Sequence, residues 1–353
     1  MCLKFNKSNR MTKRKKLITL LLALTTILCI CMGTAYYLLL APQFHPKKPV
    51  YIYIDKDDTA DSVFHKLHTT ASPGHLAGLY AIARLKGYDE HLHTGRYAVR
   101  PGDNAYHVFG RLSRGHQEPV NLVIGSVRTL DRLARNVGRQ LMIDSADIAR
   151  GLQDSAYWKE QGYTKESLPT LFIPNTYQVY WDMDAEGFFR RMIKEHNRFW
   201  NESRLSKADS LGMTPVEVAT LASIVEEETN NAQEKPMVAG LYINRLHAGM
   251  PLQADPTIKF ALQDFGLRRI SNAHLGIDSP YNTYRYAGLP PGPIRIPSPA
   301  GIDAVLNYTK HNYLYMCAKE DLSGTHNFAA NYAEHMRNAR KYWNALNKRK
   351  IFQ

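Results

Sequence analysis

Cysteine is scarce in this chain, with four among 353 residues. Cys2 stands near the N-terminus, Cys29 and Cys31 fall in an apolar run, and Cys317 lies alone in the apolar stretch at 313–318. A disulfide framework is therefore excluded, and Cys317 reads as a small buried thiol in a strand rather than a nucleophile. The fourteen histidines are scattered and no His-Glu-x-x-His occurs, so neither a metal site nor a cofactor is expected. Internal repeats and low-complexity stretches are also missing, which excludes solenoid and linker architectures. Acidic residues are absent from positions 1–16, and charge of either sign is absent from 17–41.

That last gap has a direct consequence. An uncharged run of about 25 residues is long enough to cross a bilayer as a tilted helix. A cleaved signal peptide would carry a shorter apolar region and a small-x-small cleavage site, and no such site closes this run. The residues before Cys29 and Cys31 are Leu28 and Ile30, not the small residue that precedes a lipidated cysteine. Lys4, Lys7, Arg10, Lys13, Arg14, Lys15 and Lys16 precede the run. The positive-inside rule then places residues 1–16 in the cytoplasm and the body beyond the cytoplasmic membrane, as a single-pass protein. With those seven set aside, 38 basic residues face 32 acidic ones. The remaining charges are dispersed, so no nucleic-acid footprint is expected.

The exported body reads as α+β. Alternation at 50–54 and the segment GRYAV at 95–99 predict strands, with helical patterns at 59–67 and 80–85 and another opening at the Pro101-Gly102-Asp103 turn. A small module over 45–118 follows from this, then a larger domain over 119–347. In the larger domain, a strand is expected at 121–124 and helices at 129–141 and 185–204. The aromatic segment 168–181 carries Pro169 and Pro174 and cannot be one regular helix. The loop at 279–299 holds six prolines and three tyrosines. It reads as a rigid wall whose Asn282, Thr283, Tyr284 and Tyr286 set polar groups beside aromatic faces, chemistry suited to a polysaccharide groove.

The segment TPVEVATLASIVEEET at 214–229 predicts an amphipathic helix. Thr214 is its N-cap, Pro215 its first residue, and Glu217 completes a capping box. Val218, Leu221, Ala222 and Val225 form a stripe that runs on to Glu228. Glu227 falls on the solvated side and Glu226 on the flank. A carboxyl at 228 would be desolvated and close to a helix C-terminus; both effects favour its protonated form. An ion pair with a buried arginine, or exposure at the helix end, is the structural alternative.

Taken together and in order, ASIVEEET at 222–229, GLYINRL at 240–246, MPLQADPT at 250–257, YNTY at 281–284 and GLPPGPI at 288–294 resemble the YceG-like family of membrane-bound endolytic murein transglycosylases. The resemblance covers essentially the whole exported body. It implies a LysM-like module over 45–118, supported by GRYAVRPGDN, and a YceG-like catalytic domain over 119–347. It implies cleavage of the β-1,4 bond between N-acetylmuramic acid and N-acetylglucosamine without water, leaving 1,6-anhydro ends, with Glu228 as the catalytic acid. Glu226, Gln253, Asp255, Asn282, Tyr284 and His326 are the substrate-binding candidates that the motifs imply, each with a structural alternative: helix flank, surface loop, Asp-Pro turn, Asx-turn, packed aromatic and satisfied histidine. Peptidoglycan glycan strands are the implied partner, together with wall synthases of the elongation or division complex. Where many members carry Glu-Gly and Pro-Asp-Thr-Tyr, this chain has Pro169-Thr170 and Pro174-Asn175-Thr176-Tyr177, so no acid of that segment is carried over. A non-catalytic wall-binding scaffold and a hydrolase using Glu226 or Asp255 as a second carboxylate are the rival readings.

Overall fold

The computed structural model describes residues 3–267 and 269–349; Cys2 lies outside them. Helix α1 (Leu3–Ala35) runs on into one π-helical turn, Tyr36–Leu40. Over Lys13–Leu40 it is the one helix among the described residues long and apolar enough to cross a membrane. Its side chains from Lys13 to Tyr36 are exposed, with Leu20 and Leu22 more than half so, as a lipid-facing surface requires, while Tyr37 packs on the His75 ring.

The chain divides into two compact units, the first comprising Met1–Val120 and Gln178–Asp182. After α1 it contains β1 (Val50–Ile54), α2 (Ala60–Thr70), α3 (Ala77–Leu85), β2 (Gly95–Val99) and α4 (Ala105–Ser113). β1 and β2 pair antiparallel, from Val50 opposite Val99 to Ile54 opposite Gly95. Period-two alternation puts Ile52 and Ile54 inside while Tyr51 and Tyr53 face out. Thr59 and Ser62 cap α2 reciprocally, so Val63, Phe64 and Leu67 fall on one buried stripe. These residues join Leu79, Tyr88, Tyr97 and Phe109 in a single core. Where the membrane helix ends, Asn104 Nδ2 donates to Leu40 O at 3.0 Å and Gln43 Nε2 to Tyr37 O at 2.7 Å.

The second unit comprises Asn121–Tyr177 and Met183–Gln353. In chain order come β3 (Val120–Ile124), α5 (Leu130–Gly138), α6 (Ser145–Leu152), α7 (Ser155–Glu160), β4 (Asn175–Val179), α8 (Ala185–Phe199), α9 (Glu202–Ser210) and α10 (Pro215–Glu228). They are followed by α11 (Lys235–His247), α12 (Asp255–Leu262), α13 (Asn272–Leu275), α14 (Pro299–Leu306), β5 (Tyr315–Ala318), β6 (His326–Ala329) and α15 (Tyr332–Lys348). The sheets are small two-stranded pairs, β3 with β4 and β5 with β6. The core gathers around α10, α11 and α14 through Leu221, Val225, Leu241, Tyr242, Ile302 and Val305. Helices packed around short sheets make a mixed α+β fold.

Two expectations need correction. The helix expected over 185–204 breaks at Trp200, because Asn201 caps a new helix by accepting from Arg204 N at 3.1 Å. Arg204 then turns its guanidinium to Asp303, with Nε–Oδ1 2.9 Å and Nη2–Oδ2 3.1 Å. Nor does α10 carry only an apolar stripe. Every residue from Val218 to Glu226 is buried, because the small side chains of Ala219, Ala222 and Ser223 let neighbours approach on the side expected to be wet. Ser223 Oγ there accepts the backbone N–H of Ile294 at 3.0 Å.

The proline-rich loop closes, through Gly292, against the chain just before the aromatic segment. A Cβ at that position would stand 2.0 Å from Glu166 O, a backbone atom that cannot yield without moving the chain. Gly292→Ala is expected to cost roughly 1–3 kcal/mol in overpacking. Chemical denaturation reads this, and an unshifted unfolding curve would show that the approach is looser than described.

Candidate active site

The capping box of α10 forms in full. Thr214 Oγ1 accepts Glu217 N at 3.2 Å and Glu217 Oε2 accepts Thr214 N at 2.7 Å. This fixes the start of the helix, and its three terminal glutamates then meet three different environments. Glu226 is 7% exposed. Its carboxylate accepts Ser298 N at 2.9 Å, the Ser298 hydroxyl, and Lys235 Nζ at 3.3 Å. Ser298 is the N-cap of α14, so Glu226 ties the ends of two helices together. Glu227 is not the solvated bystander expected from periodicity. Arg128 grips it with two bonds of 2.9 and 2.8 Å, and Arg295 Nη1 adds a third at 3.0 Å. Both arginines come from chain distant in sequence, which periodicity cannot register.

Glu228 opens onto a cleft of about 240 Å3. Its Oε1 accepts the hydroxyl of Tyr242 at 2.7 Å, and among the described residues it forms no ion pair. Burial pushes its carboxyl up from the usual 4.5 to about 7. The Tyr242 bond and the charges of His326 and Lys259 oppose the rise, while the charge of Asp255 adds to it.

The cleft also gathers Gln253, Asp255, Tyr284 and His326. Asp255 begins α12 and accepts the Tyr284 hydroxyl at 2.5 Å. Burial and this carboxylate raise the Tyr284 phenol. Gln253 adopts a left-handed backbone, φ 51°, uncommon for a residue with a side chain. It is held there by its N–H bond to Thr283 O at 3.0 Å. His326 donates its backbone N–H to Glu234 Oε1 at 2.7 Å, and its Nδ1 lies 3.0 Å from Oε2. A carboxylate only accepts, so the proton sits on Nδ1, and Nε2 is the nitrogen left for another partner. Burial alone would raise the Glu234 carboxyl, but its bonds from His326 and from the Thr229 hydroxyl hold it below the usual range.

Two of the expected contacts lie elsewhere. Glu226 is consumed by Ser298 and Lys235, and Asn282 is wholly buried. The Asn282 amide donates to Leu275 O and Ile277 O at 2.8 Å, while its oxygen accepts Tyr284 N at 3.0 Å. Asn282 thus shapes the loop that presents Tyr284, and neither side chain lines the cleft.

Two polar cleft residues escaped the sequence reading, as did the carboxylate that holds His326. Tyr242 and Arg245 stand one turn apart on α11, in a motif noted only for its resemblance. The available signal was a tyrosine and an arginine one turn apart on a helix buried from Val238 to Ile243. Arg245 is 7% exposed, and its donors go to Leu314 O at 2.6 Å, Leu252 O at 2.8 Å and Pro251 O at 3.2 Å. Glu234, which binds His326 and does not itself line the cleft, lay outside every motif.

Fold and site define a mixed α+β protein with an apolar N-terminal helix and one half-buried, readily protonated acid facing a polar cleft. Residues 52–341 match the model of the YceG-like family. The chain belongs to that family. It is 28% identical over 332 residues to the endolytic murein transglycosylase of Streptococcus pneumoniae, covering 85% of this chain and 59% of that protein. It is 33% identical over 186 residues to the endolytic murein transglycosylase of Bacillus subtilis, covering 52% and 51%. The chain thus spans little more than half the length of these relatives. A crystal structure of a YceG-like protein from Listeria monocytogenes superposes with a TM-score of 0.56 at 25% identity, covering 83% of this chain and 99% of the other.

A carboxyl raised from 4.5 to about 7 keeps its proton in the folded chain over a range where the unfolded chain has lost it. Stability contributed by this group is therefore present at low pH and lost as pH rises through that window. Glu228→Gln removes the penalty. It is expected to exceed the native chain in stability at pH 8, by up to about 3 kcal/mol, and to match it near pH 4. Denaturation at the two pH values reads the difference, and a gap independent of pH would refute the raised carboxyl.

Proposed function

We propose that this chain is an endolytic murein transglycosylase that cuts the bond between N-acetylmuramic acid and N-acetylglucosamine within glycan strands. The observation that carries this reading is the single raised carboxyl of Glu228 in a polar cleft. A hydrolysing glycosidase divides its work between two carboxylates, acid and nucleophile or base. Transfer to the substrate's own hydroxyl needs one group that acts in turn as both.

Because Tyr242 donates to Oε1, the proton of Glu228 rides on Oε2. It passes to the glycosidic oxygen as the bond to the muramyl anomeric carbon breaks. The carboxylate then removes the proton of the muramyl 6-hydroxyl while that oxygen bonds to the anomeric carbon, and Glu228 regains its proton. The product is a 1,6-anhydro end, with no water added. The Asp255 carboxylate opposes the positive charge that develops on the sugar ring. Gln253, Tyr284 and the free nitrogen of His326 bind sugar hydroxyls and the acetamido group; Glu226, Asn282 and Glu234 hold the groups around them.

The basic run before an apolar helix supports an N-terminus in the cytoplasm, with the chain after Pro42 beyond the membrane and close to newly made wall. Strand termination beside wall synthases belongs to the same proposal. The order strand, two helices, strand in the first unit supports a LysM-like module.

Full-length protein in detergent should release anhydro-ended fragments from peptidoglycan, and Glu228→Gln should lower the rate by at least about 100-fold. Mass spectrometry of the products separates this from hydrolysis, for which the presence of Asp255 in the same cleft is the one favourable observation. Products heavier by one water would establish a hydrolase, and undiminished release by Glu228→Gln would remove the acid from its role.

Since the first step requires the protonated form, the rate should fall as pH rises past about 7. The Tyr242 bond favours the anion, so Tyr242→Phe should move that fall to higher pH. A shift to lower pH, or none, would contradict the hydrogen bond described.

A further inference from the structure

Exposure along α1 stops short at its far end. Every side chain from Lys13 to Tyr37 is exposed, Leu38 and Leu39 are half-buried, and Gln43 and Phe44 are buried in the first unit. The last carbonyls of a helix have no partner within it and ordinarily turn to water or a cap. Here the first unit takes them. Gln43 Nε2 donates to Tyr37 O at 2.7 Å, and Asn104 Nδ2, from the start of α4, donates to Leu40 O at 3.0 Å. Between these contacts α3 lies so close that a Cβ at Gly78 would overlap Leu38 O. The Tyr37 ring meets that of His75, centroids 5.1 Å apart, just ahead of α3. The apolar helix thus enters the first unit as part of its packing, with no free linker between them.

Helix length sets the depth of this seam. The charge-free run opens at Leu17. At about 1.5 Å per residue, about 20 residues fill a hydrocarbon core of about 30 Å, which brings Tyr36 and Tyr37 to its far boundary. Tyrosine suits that level, with its ring against the acyl region and its hydroxyl among headgroups. Leu38, Leu39 and Leu40 extend about 5 Å further, within a headgroup layer about 5–7 Å deep. The carbonyls that meet Gly78 and Asn104 therefore lie inside that layer, together with the parts of α3 and α4 that hold them. Each of these helices carries an exposed tyrosine two positions beyond its contact, Tyr80 at 48% and Tyr106 at 51%.

We propose that the first unit is seated in the headgroup layer at the far end of α1, with phospholipid headgroups as the partner of the α3 and α4 ends that carry Tyr80 and Tyr106. A flexible tether would let the unit leave the surface; the seam of Leu38, Gly78 and Asn104 keeps it there. The seat rests on the reading of α1 as a membrane span. It does not depend on which side of the membrane the unit occupies, and it takes no part in bond cleavage.

The test uses the full chain in phospholipid vesicles that contain nitroxide-labelled lipid, and reads the tryptophan emission that one substitution adds. Emission added by Tyr106→Trp should be quenched at least about twofold more by a headgroup nitroxide than by one deep in the acyl chain, and Leu28→Trp, at mid-span, should show the reverse order. Two further changes are then made in the Tyr106→Trp chain. Gly78→Val forces Leu38 O away from α3, and Asn104→Ser keeps a good cap on α4 but removes the amide that reaches Leu40. Each should lower the headgroup quenching. A Tyr106→Trp emission that neither nitroxide quenches, beside a quenched Leu28→Trp, would overturn the seat and leave the span standing. An unquenched Leu28→Trp would overturn both. Headgroup quenching undiminished by both further changes would overturn the seam. Product analysis with Glu228→Gln is untouched by these results, so the proposals fail separately.

Discussion

Holding an unpaired carboxyl at the end of an enclosed helix is the constraint around which the second unit is arranged. A carboxylate is costly to bury unless a cation or several donors meet it, and a buried acid without them keeps its proton instead. Here α10 is buried on all sides from Val218 to Glu226, so its last residue emerges half-buried from packed protein at the wall of the cleft. The only hydrogen-bond donor to Glu228 among the described residues is the Tyr242 phenol. That contact orients the group without neutralising it.

The neighbouring glutamates show what the alternative looks like. Glu226 faces Lys235 and the N-terminus of α14, and Glu227 faces two arginines. Each is an anion that ties distant chain to α10. Three adjacent residues of one type thus divide into two that face cations and one that does not. The division is made by which partners the fold brings, since the intrinsic chemistry of the three is the same. The two anchors also hold the end of α10 in place, so that the third can stand without a cation of its own.

How far the sequence could be read follows the range of the interactions. Thr214, Pro215 and Glu217 settle the start of α10 within a few residues of one another, and alternation settles β1; both were legible. The break between α8 and α9 depends partly on Arg204 reaching Asp303, 99 positions away. The fate of Glu227 depends on arginines 99 and 68 positions away. Neither leaves a periodic trace. Asn282 and Tyr284 look alike in sequence as polar loop residues. One turns inward to hold backbone carbonyls and the other faces the cleft, a difference decided by the closure of the loop against α12 and α13. The LysM-like module and the roles of individual cleft residues came from resemblance, and the geometry supplies their physical context.

The choice of partner for Glu228 shows why proximity of a cation is the variable that matters. α11 presents a tyrosine and an arginine one turn apart, both lining the cleft onto which Glu228 opens. Were the guanidinium the contact, charge and a two-bond grip of the kind Arg128 gives Glu227 would favour the carboxylate form of Glu228. Instead the donors of Arg245 are occupied by Leu314, Leu252 and Pro251 carbonyls, and the phenol takes the carboxyl. The left-handed Gln253 is part of that arrangement, because the turn it makes follows directly on the Pro251 and Leu252 carbonyls that accept from Arg245. The strained residue and the buried arginine thus serve one end, which is to leave the acid with a partner that positions its proton and does not remove it.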